Sequence, residues 1–515
     1  MFPGIHALST PDKPAVIMAG SGRTITYREL DENSARLARA LHDLGLRKGD
    51  VVALVSDNEP ECFEIYWAAL RSGLYVTAIN WHLTPAEAAY IVDDCDAKAV
   101  IASAGVAELA AAVRELAPRV DHWLAFGGEV AGYRSYTTEL AGVAERLSEQ
   151  PRGADMLYSS GTTGRPKGIK PPLLPLTVDQ PGEPLTMAVG GLFGVNQSDI
   201  YLSPAPIYHA APLRWCGAVH AYGGTVVMME KFGAEDMLRA IEQYRVTVTQ
   251  VVPTMFVRLL QLPTEVRERY DLSSLRLAIH AAAPCPPEVK RAMIDWWGPI
   301  LVEYYGSTEG NGLAVITSPE WEKKPGSVGR SILGPVHICD DDGAPLANGE
   351  VGTVYFERET LPFTYHKDPE KTAAAQHPDH PTWTAVGDLG YVDEDGFLFL
   401  TDRKSFVIIS GGVNIYPQEV ENVLTLHPAI FDVAVIGVPD AEMGQQVKAV
   451  VQLNPGVVRT DEIAAEIIDY ARVRVAHYKA PKTVDFVDSL PRSATGKLVK
   501  RELEKLYGSA SAAQN

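Results

Sequence analysis

The sequence predicts an α/β protein in which a large amino-terminal domain of layered α/β structure, with a small β unit at its end, precedes a small mobile α+β domain. Strand and helix signals alternate from the start of the chain to about residue 335, which is the pattern of a layered α/β core. Beyond that point, short strands with turn residues between them replace the alternation. The length of 515 residues also exceeds a single core, because domains usually contain about 100–200 residues.

The first elements are predicted from their end signals. Thr26-Tyr-Arg-Glu29 has the pattern of a capping box, the leucines that follow it have helical spacing, and Gly45 can close the helix. The next elements are, in order, a strand at Val51–Val55, a helix between Pro60 and Gly73, a strand at Tyr75–Ile79, a helix that begins at Thr84-Pro85, and a strand at 99–101. Their regular order supports the layered core.

The second part of the chain changes architecture twice. Strands at 336–340 and 352–356 predict the small β unit. Farther on, strands at 433–438 and 447–453, which we take to flank an acidic helix beginning near Asp461, predict a small α+β domain.

These changes define the predicted domains. We expect an amino-terminal domain over residues 1–402, divided into α/β subdomains over about 1–335 and the β unit over about 336–402. A small carboxy-terminal domain is expected over residues 403–515, after a hinge at about 403–405.

Composition excludes several classes of protein. The net charge of −19 would repel a nucleic-acid backbone, and no basic run offsets it. No apolar run approaches the length of a membrane span, and the amino terminus lacks the features of a secretory signal, so we expect a cytoplasmic protein. The five cysteines are scattered, which predicts reduced, packed thiols. His377 and His380 lie in a proline-rich loop and are expected to be solvated.

A glycine-rich segment after a predicted strand is the most informative functional signal. In Tyr158-Ser-Ser-Gly-Thr-Thr-Gly-Arg-Pro-Lys-Gly168, backbone N–H groups, hydroxyls and a lysine can surround a polyphosphate, which indicates ATP. It is not a Walker A motif, because Pro166 and Gly168 replace the second glycine and the hydroxyl of that motif. In isolation, a solvated turn is the alternative. The candidate phosphate-binding residues are Ser159, Ser160, Gly161, Thr162, Thr163, Gly164 and Lys167.

Further motifs follow this loop. They are, in order, Tyr304-Tyr-Gly-Ser-Thr-Glu-Gly310, Gly387-Asp-Leu-Gly-Tyr391, Asp402-Arg403, Ser410-Gly-Gly-Val-Asn-Ile-Tyr-Pro417 and Pro491-Arg-Ser-Ala-Thr-Gly-Lys497. With these motifs the chain resembles the adenylate-forming superfamily, which contains acyl-CoA synthetases, peptide-synthetase adenylation domains and firefly luciferases. The resemblance extends from Thr26 to about Leu503.

The resemblance implies how the chain would activate a carboxylate with ATP. Lys497 would neutralise charge between the substrate carboxylate and the α-phosphate. Thr308 would reach the phosphates, and Glu309 would hold Mg²⁺, which prefers oxygen ligands and often bridges phosphates. The residues implied to hold the nucleoside are Ala282, Ala283, Tyr305, Gly306, Asp388 and Arg403.

Two of these nucleoside residues have equally good structural explanations when they are taken alone. Tyr305 can cover the adenine face, but it can also be core packing. Asp388 can accept hydrogen bonds from the ribose hydroxyls, but a Gly-Asp-x-Gly turn also uses its aspartate locally. Arg403 would donate to ribose or phosphate.

The resemblance also implies sites for the acid and for the acyl acceptor. His209 would line the acid pocket. Peptide-synthetase domains have an aspartate there for the substrate amino group, and the absence of that aspartate from this chain disfavours an amino-acid substrate. Gly411 and Gly412 would let the pantetheine arm of CoA pass along the backbone. Arg214 is expected to form a structural ion pair. The chain departs from its relatives at Ser405-Phe406, where many have Lys or Asp followed by an acidic residue, which leaves the hinge contact open.

We therefore predict an acid–thiol ligase: an ATP-dependent acyl-CoA ligase that activates a hydrophobic fatty, aryl or steroid side-chain acid as acyl-AMP and transfers it to CoA. An amide synthetase or a luciferase-like adenylating enzyme stays open as an alternative. The alternative of another class is an inactive nucleotide- or acyl-binding sensor, against which the presence of Lys167, Glu309, Asp388 and Lys497 argues. The sequence has no signal for oligomeric state, so a homodimer stays open.

Overall fold

The computed structural model describes residues 1–143, 145–159, 166–492 and 498–508. The chain folds into two compact units. The first unit contains residues 1–159, 166–280 and 363–369, and the second contains residues 281–362 and those from 370 onward. The hinge predicted at 403–405 lies inside the second unit and stays a prediction.

The described strands and helices follow one another along the whole chain. The strands are β1 (Pro14–Met18), β2 (Thr24–Thr26), β3 (Val51–Val55), β4 (Tyr75–Ile79), β5 (Ala97–Ser103), β6 (His122–Phe126), β7 (Arg134–Ser135), β8 (Ala154–Asp155), β9 (Leu157–Ser159), β10 (Lys167–Lys170), β11 (Ile200–Ser203), β12 (Thr225–Met228), β13 (Val248–Val251), β14 (Leu277–His280), β15 (Leu301–Gly306), β16 (Leu313–Thr317), β17 (Ser327–Ser331), β18 (Val336–Cys339), β19 (Gly352–Glu357), β20 (Thr364–Tyr365), β21 (Trp383–Thr384), β22 (Asp388–Val392), β23 (Leu398–Arg403), β24 (Ile408–Ser410), β25 (Val413–Ile415), β26 (Ile430–Asp440), β27 (Gly444–Leu453) and β28 (Thr483–Phe486). The α-helices are α1 (Pro3–Ser9), α2 (Tyr27–Asp43), α3 (Glu61–Leu70), α4 (Pro85–Asp94), α5 (Ala107–Leu116), α6 (Tyr136–Ala141), α7 (Pro184–Phe193), α8 (Ala210–Tyr222), α9 (Ala234–Tyr244), α10 (Pro253–Leu260), α11 (Thr264–Arg267), α12 (Pro287–Trp297), α13 (Ser318–Trp321), α14 (Pro369–Ala374), α15 (Pro417–Leu424), α16 (Asp461–Arg472) and α17 (Lys500–Gly508).

Two largely parallel sheets form the core of the first unit. One has the order β7-β6-β5-β3-β4-β8 with every pairing parallel. The other has the order β14-β13-β11-β12-β1-β2, in which the β1–β2 pairing is antiparallel. Every residue of β3 and β4 is buried, as expected for strands of a parallel sheet that is covered on both faces. The predicted layered α/β core is therefore confirmed.

The end signals read from the sequence form as predicted. The Thr26 side chain accepts a hydrogen bond from the Glu29 backbone, and the Glu29 carboxylate accepts one from the Thr26 N–H at 2.8 Å. Thr84 and Glu87 make the same reciprocal pair at the start of α4. Each box satisfies N–H groups that the first helical turn leaves without intrahelical partners, and it thereby fixes where the helix begins.

The second unit contains two mainly antiparallel sheets. The larger has the order β18-β19-β22-β23-β17-β16-β15, with β21 paired to β19, and it includes the predicted β unit. The smaller has the order β25-β24-β27-β26, with β28 parallel to β27. Helices α15 and α16 pack with this smaller sheet through Val420, Leu424, Ile467 and Ala471, which are fully buried.

One detail of the predicted small domain is wrong. Strands β26 and β27 pair with each other in a long antiparallel hairpin, so they do not flank the acidic helix. The hairpin closes because the Asp440 side chain accepts hydrogen bonds from the N–H groups of Glu442 and Met443, at 3.0 and 2.9 Å. Helix α16 begins at Asp461, as expected, and lies between β27 and β28 in the chain.

The expectation for the histidines of the proline-rich loop is half wrong. His377 is buried, its Nε2 lies 2.7 Å from the Gly343 carbonyl, and its ring packs edge-on against Trp383. His380 is exposed, as predicted. The hydrogen bond to a backbone carbonyl offsets the cost of burying the imidazole, although the loop sequence is polar.

Two expectations drawn from composition can be compared with the structure. All five cysteines are free thiols, and four of them are buried. Among the helices that the structure describes, none combines the length and the apolar character needed to cross a membrane.

An unusual carboxylate lies inside the first unit. Glu64 on α3 is 2% exposed, and it accepts hydrogen bonds from the Asn33 amide at 2.8 Å and from the Tyr136 hydroxyl at 2.7 Å. Burial raises the pKa of Glu64 to about 7, although these two hydrogen bonds stabilise the charged form and oppose the shift. The folded protein therefore binds a proton at Glu64 more readily than the unfolded chain does.

This difference predicts a pH-dependent stability. The pKa of Glu64 in the folded protein, about 7, exceeds the ordinary value of 4.5. The stabilisation of the folded protein by protonated Glu64 is therefore complete below about pH 4.5, and it is lost as the pH rises through 7. Glu64→Gln should remove this pH-dependent fall in the free energy of unfolding, which is on the order of 3 kcal/mol. Urea unfolding midpoints of both proteins between pH 5 and pH 8 measure it. Glu108→Gln, at an exposed position of α5, is the control; equal pH slopes in all three proteins would contradict the prediction.

Candidate active site

The ends of the predicted phosphate loop are held together by an antiparallel hairpin in the first unit. Strands β9 and β10 pair so that Ser159 lies opposite Lys167 and Tyr158 opposite Gly168. The residues predicted to bind phosphate within the loop lie outside the described part of the chain; they are Ser160, Gly161, Thr162, Thr163 and Gly164, together with the side chain of Ser159. Lys167, at the first position of β10, is half-buried.

The hairpin has a tightly packed base. The Tyr158 hydroxyl donates to the Asp94 carboxylate at 2.6 Å. A Cβ at Gly168 would lie 2.8 Å from Met156 Cε and 3.0 Å from the Tyr158 ring, so a larger residue would displace these side chains. The Lys167 ammonium lies 5.8 Å from the centre of the Tyr365 ring on the neighbouring strand β20. The hairpin therefore positions a cation at the exit of the predicted phosphate loop.

The second unit brings three predicted nucleoside residues into one cluster. Asp388 and Arg403 are direct cross-strand partners on β22 and β23, and the Arg403 Nε lies 3.2 Å from Asp388 Oδ1. The Tyr305 hydroxyl, from β15, donates to Asp388 Oδ2 at 2.6 Å. Burial, reinforced by the Asp388 charge, raises the pKa of Tyr305 well above its ordinary value, so its phenol stays a neutral donor. Each carboxylate oxygen of Asp388 thus has a fixed partner and retains acceptor capacity for a ligand hydroxyl.

The backbone at Ala282 is unusual. Ala282 has a φ of 75°, in the left-handed region that an alanine seldom adopts, and both Ala282 and Ala283 are exposed. Such strain costs roughly 1–2 kcal/mol and is concentrated at functional sites. The small side chains leave the backbone accessible, as the predicted contact with a flat base requires.

The predicted Thr308 and Glu309 lie on a compact turn after β15. The Gly310 N–H bonds to the Ser307 carbonyl at 3.1 Å, and Gly310 has a φ of 66°. The Ser307 hydroxyl donates to the Asn311 side chain at 2.8 Å. Gly306 leaves little room, since a Cβ there would lie 3.3 Å from the Gly312 carbonyl oxygen.

The possible metal ligands near this turn fit a Mg²⁺ ion that is held mainly by a nucleotide. Among the described residues, no group of three or more His, Cys, Asp or Glu side chains is arranged to hold a metal ion. Glu309 is a partly exposed carboxylate, and Mg²⁺ is usually bound by one or two carboxylates, water and substrate phosphates. Glu309 is therefore a suitable protein ligand for a nucleotide-bound Mg²⁺.

The candidate acid-pocket histidine stands at a helix start in the first unit. His209 is the residue before α8, and its ring centre lies 4.6 Å from that of Tyr208. Arg214, on the same helix, forms the expected structural ion pair: its guanidinium contacts Asp155 at 2.6 and 2.9 Å. The Asp155 charge raises the pKa of Arg214 above its ordinary value despite burial, which opposes the charge.

The predicted pantetheine residues form a tight turn. Gly411 and Gly412 are the two loop residues of the β24–β25 hairpin, with Ser410 paired to Val413. Their φ values are 57° and 79°, which matches the mirror-image turn favoured in two-residue hairpins. A Cβ at Gly411 would lie 2.4 Å from Met443 Cε. Both glycines are exposed, so their backbone is available to a ligand.

The hinge departure is accompanied by two cationic contacts. The Lys404 ammonium lies 2.5 Å from the Asp341 carboxylate. The Phe406 ring, in place of an acidic residue, faces the Lys500 ammonium at 5.2 Å, and Lys500 also pairs with Glu421 at 2.8 Å. The hinge contact that the sequence left open stays a prediction, and the structure shows an aromatic ring beside Lys500 at this place.

Lys497, the residue implied to act in adenylation, lies outside the described residues. The chain on either side of it is described. Arg492 and Leu498 pair in an isolated antiparallel bridge, and the Val499 N–H donates to the Pro491 carbonyl at 2.9 Å. These contacts hold together the two described ends that flank residues 493–497.

Sequence reasoning missed the supporting role of two residues, of which Asp402 had been named only as part of a motif. Asn311 is 2% exposed and links the Thr308–Glu309 turn to the Thr384 carbonyl at 3.2 Å. Asp402 accepts a hydrogen bond from the Gln418 N–H at 2.9 Å in the first turn of α15, where a carboxylate also meets the positive end of the helix dipole. A polar residue within a glycine-rich turn was the only signal for Asn311, whereas nothing local signals the long-range bond of Asp402.

The fold and these clusters define an enzyme of the adenylate-forming type, and comparisons with known proteins agree. Residues 5–366 match the model of the AMP-binding enzyme family, and residues 419–497 match the model of its carboxy-terminal domain. A feruloyl-CoA synthase from an Amycolatopsis species is 34% identical over 516 residues, which cover 98% of this chain and 98% of that protein. The chain belongs to the AMP-binding enzyme family.

Solved structures share the whole architecture. The anthranilate CoA ligase AuaEII, in complex with anthranoyl-AMP, matches with a TM-score of 0.84 and 26% identity over 99% of this chain and 97% of that one. The amide bond synthetase McbA from Marinactinospora thermotolerans matches with a TM-score of 0.81 and 28% identity over 98% of this chain and 99% of that one. The predicted superfamily, fold class and enzyme class, an AMP-forming acid–thiol ligase, are confirmed.

The Tyr305–Asp388 bond gives a testable prediction. Tyr305→Phe removes a hydrogen bond to a charged carboxylate, so the free energy of unfolding should fall by about 1.5–3 kcal/mol. Urea or thermal unfolding measures the change. Tyr391→Phe, on the same strand as Asp388, is the matched control, and equal losses in the two variants would show that the Tyr305 hydroxyl does not stabilise the cluster.

Proposed function

We propose that the protein is an ATP-dependent ligase that activates a hydrophobic carboxylic acid as an acyl adenylate and transfers the acyl group to CoA. The observation on which the proposal rests is the cluster of Tyr305, Asp388 and Arg403, which holds one carboxylate in a fixed orientation. Residues of these types at these motif positions are the ones that the family resemblance implies for nucleoside binding. The roles of the individual residues are part of the proposal.

In the first step, a carboxylate oxygen of the acid attacks the α-phosphorus of ATP, and pyrophosphate leaves. Lys167 and the loop before it would stabilise the negative charge on the β- and γ-phosphates. Lys497 would neutralise negative charge at the α-phosphate and the entering carboxylate. Mg²⁺, when bound, supplies further charge neutralisation to the phosphates, and Glu309 would hold it. Asp388 would orient the ribose.

In the second step, the CoA sulfur attacks the acyl carbon, and AMP leaves. The exposed backbone of Gly411 and Gly412 would border the pantetheine arm. For both steps to use one site, the small domain would rotate at about residues 403–405, removing Lys497 and presenting the glycine turn. The cationic contacts of Lys404 and Phe406 lie in this segment.

The acid is proposed to be apolar, with aromatic acids the first to test. His209 and Ala210 stand where an aspartate would be needed to meet a substrate amino group. Two of the matching proteins are named for ferulate and for anthranilate, both aromatic acids. Fatty and steroid side-chain acids belong in the same test panel, because the described residues do not distinguish chain length.

An amide synthetase is the second candidate, because a solved amide bond synthetase has the same fold over nearly the whole chain. Such an enzyme would share the adenylation step and replace the CoA thiol with an amine. The two candidates therefore differ only in the acceptor of the acyl group.

The deciding experiment combines the pure protein with ATP, Mg²⁺ and a panel of aromatic, fatty and steroid side-chain acids. Pyrophosphate and acyl products are followed by mass spectrometry with CoA, with an amine, and with neither. We expect acyl-CoA from at least one acid. Pyrophosphate together with amide, and no acyl-CoA, would favour the second candidate. No pyrophosphate with any acid would refute both and favour the sensor.

Lys497→Ala separates the two steps. We expect formation of acyl adenylate to fall about 10²–10³-fold, by analogy with loss of one oxyanion donor, while a supplied acyl adenylate is still converted to the thioester. Stopped assays of each half-reaction measure the difference. Arg501→Ala, at an exposed position four residues away, is the control. Equal loss of both half-reactions in Lys497→Ala would contradict the proposed rotation.

A further inference from the structure

A lysine and a glutamate form a fully enclosed ion pair beside the nucleoside cluster. Lys290, on α12, has no exposed surface, and its ammonium lies 2.6 Å from the carboxylate of Glu303. Glu303 is 6% exposed and stands on β15, two residues before Tyr305. Residues two apart on a strand share a face of the sheet. The pair therefore bonds α12 to the strand that holds Tyr305.

A buried tryptophan ring lies beside the Lys290 ammonium. The Trp321 ring, 2% exposed, lies with its centre 5.0 Å from the Lys290 ammonium. Trp321 ends the short helix α13, whose Ser318 hydroxyl donates to the Leu301 carbonyl at the start of β15, at 2.8 Å. Burial raises the pKa of the Glu303 carboxyl, and the Lys290 charge opposes that shift. Thus two elements, α12 and α13, enclose the charged pair against β15.

Stability alone does not account for an ion pair in this position. Desolvation of both charges is costly, and replacing a buried pair by apolar side chains of similar volume is often neutral or stabilising. An ion pair differs from an apolar contact in its directionality, since its hydrogen bond requires a short distance and a narrow range of angles. In this chain, that requirement applies to the bond between the Lys290 ammonium on α12 and the Glu303 carboxylate on β15.

The two elements fixed by this pair are the ones that border the proposed nucleoside site. Tyr305 follows Glu303 on β15, and α12 begins at Pro287, four residues after the exposed Ala283. A shift of α12 along β15 would move the strained Ala282 backbone relative to the Tyr305 ring. Binding sites tolerate displacements of only about 0.5 Å.

We infer that Lys290 and Glu303 are positioning residues for ATP: their bond sets the distance between the Ala282–Ala283 backbone and Tyr305, the two surfaces that receive the adenine. The inference rests on the proposed function, because it takes this cluster as the nucleoside site. Neither side chain touches the nucleotide. The effect is therefore on the affinity for ATP and not on the reaction of the bound substrates.

The test replaces both charges at once. In the Lys290→Met/Glu303→Met variant, side chains of similar length fill the same space and leave no charge unpaired, so the fold is retained. We expect the Kd for ATP, measured by calorimetry with Mg²⁺ and without acid, to rise about tenfold. The KM for ATP should rise with it, whereas the KM for the acid should change less than twofold. An ATP Kd within twofold of the parent value in the folded variant overturns the inference.

A matched control uses the neighbouring surface pair. Arg291, the next residue of α12, reaches Glu322 at 3.5 Å, and the two side chains are 42% and 49% exposed. Arg291 also lies 5.0 Å from the Trp321 ring. Arg291→Met/Glu322→Met therefore perturbs the same helix and the same ring without touching the enclosed pair. Its ATP Kd should equal that of the parent protein; a tenfold rise here too would overturn the specific role of Lys290 and Glu303.

Two outcomes need separate treatment. If the double variant does not fold, Lys290→Met/Glu303→Gln decides, because it removes the ammonium and its bond, keeps the shape of the glutamate side chain and leaves no charge unpaired; an ATP Kd raised threefold or more supports the inference, and an unchanged Kd overturns it. If the parent protein itself binds no ATP, the proposed function fails, and the positioning role fails with it. Parent binding with unchanged variant binding refutes the positioning role alone.

Discussion

One carboxylate joins three strands of the larger sheet in the second unit. Asp388 accepts a hydrogen bond from the neutral phenol of Tyr305 and pairs with the guanidinium of Arg403. The three side chains come from β15, β22 and β23, so a single group links strands that are far apart in the chain. Hydrogen bonds to a charged group are about twice as strong as neutral ones, and an unpartnered carboxylate at 9% exposure would be costly. The strands must therefore close on Asp388 in one geometry, and the proposed ribose site inherits that geometry.

Local signals in the sequence predicted local structure well. The capping boxes at Thr26 and Thr84 specify helix starts because all their partners lie within three residues. The glycine pair 411–412 likewise indicates a turn by itself. The burial of His377 was predicted wrongly because it depends on the distant Gly343 carbonyl, which no local pattern identifies. The order of β26, β27 and the acidic helix was also predicted wrongly, although the turn at Asp440 that joins the two strands is local. The motifs predicted that Asp388 and Arg403 belong to the nucleoside site, but they did not predict that the two residues lie opposite each other on paired strands.

The segment at Ser405-Phe406 shows how a contact with a lysine can form without an acidic side chain at position 406. An acidic residue at position 406 would add a second anion near Lys500, which already pairs with Glu421. Phe406 instead offers the face of its ring to the same ammonium. A cation–π contact that is partly shielded from water depends less on ionic strength than an exposed ion pair does. The contact in this chain is thus compatible with the enclosed Lys500–Glu421 pair, and it introduces no excess negative charge.

The likeness to both a CoA ligase and an amide bond synthetase has a physical explanation. Both reactions begin by joining a carboxylate to AMP, and the demands of that step, charge neutralisation at phosphate and a fixed nucleoside, are met by the same kinds of residues. The fold therefore reports on adenylation and does not identify the acceptor. Only residues that contact the acyl acceptor, and take no part in adenylation, can distinguish CoA from an amine. In this chain the turn at Gly411 and Gly412 is exposed and has no side chains, so it offers backbone groups alone, and in the proposed function these groups border the acyl acceptor.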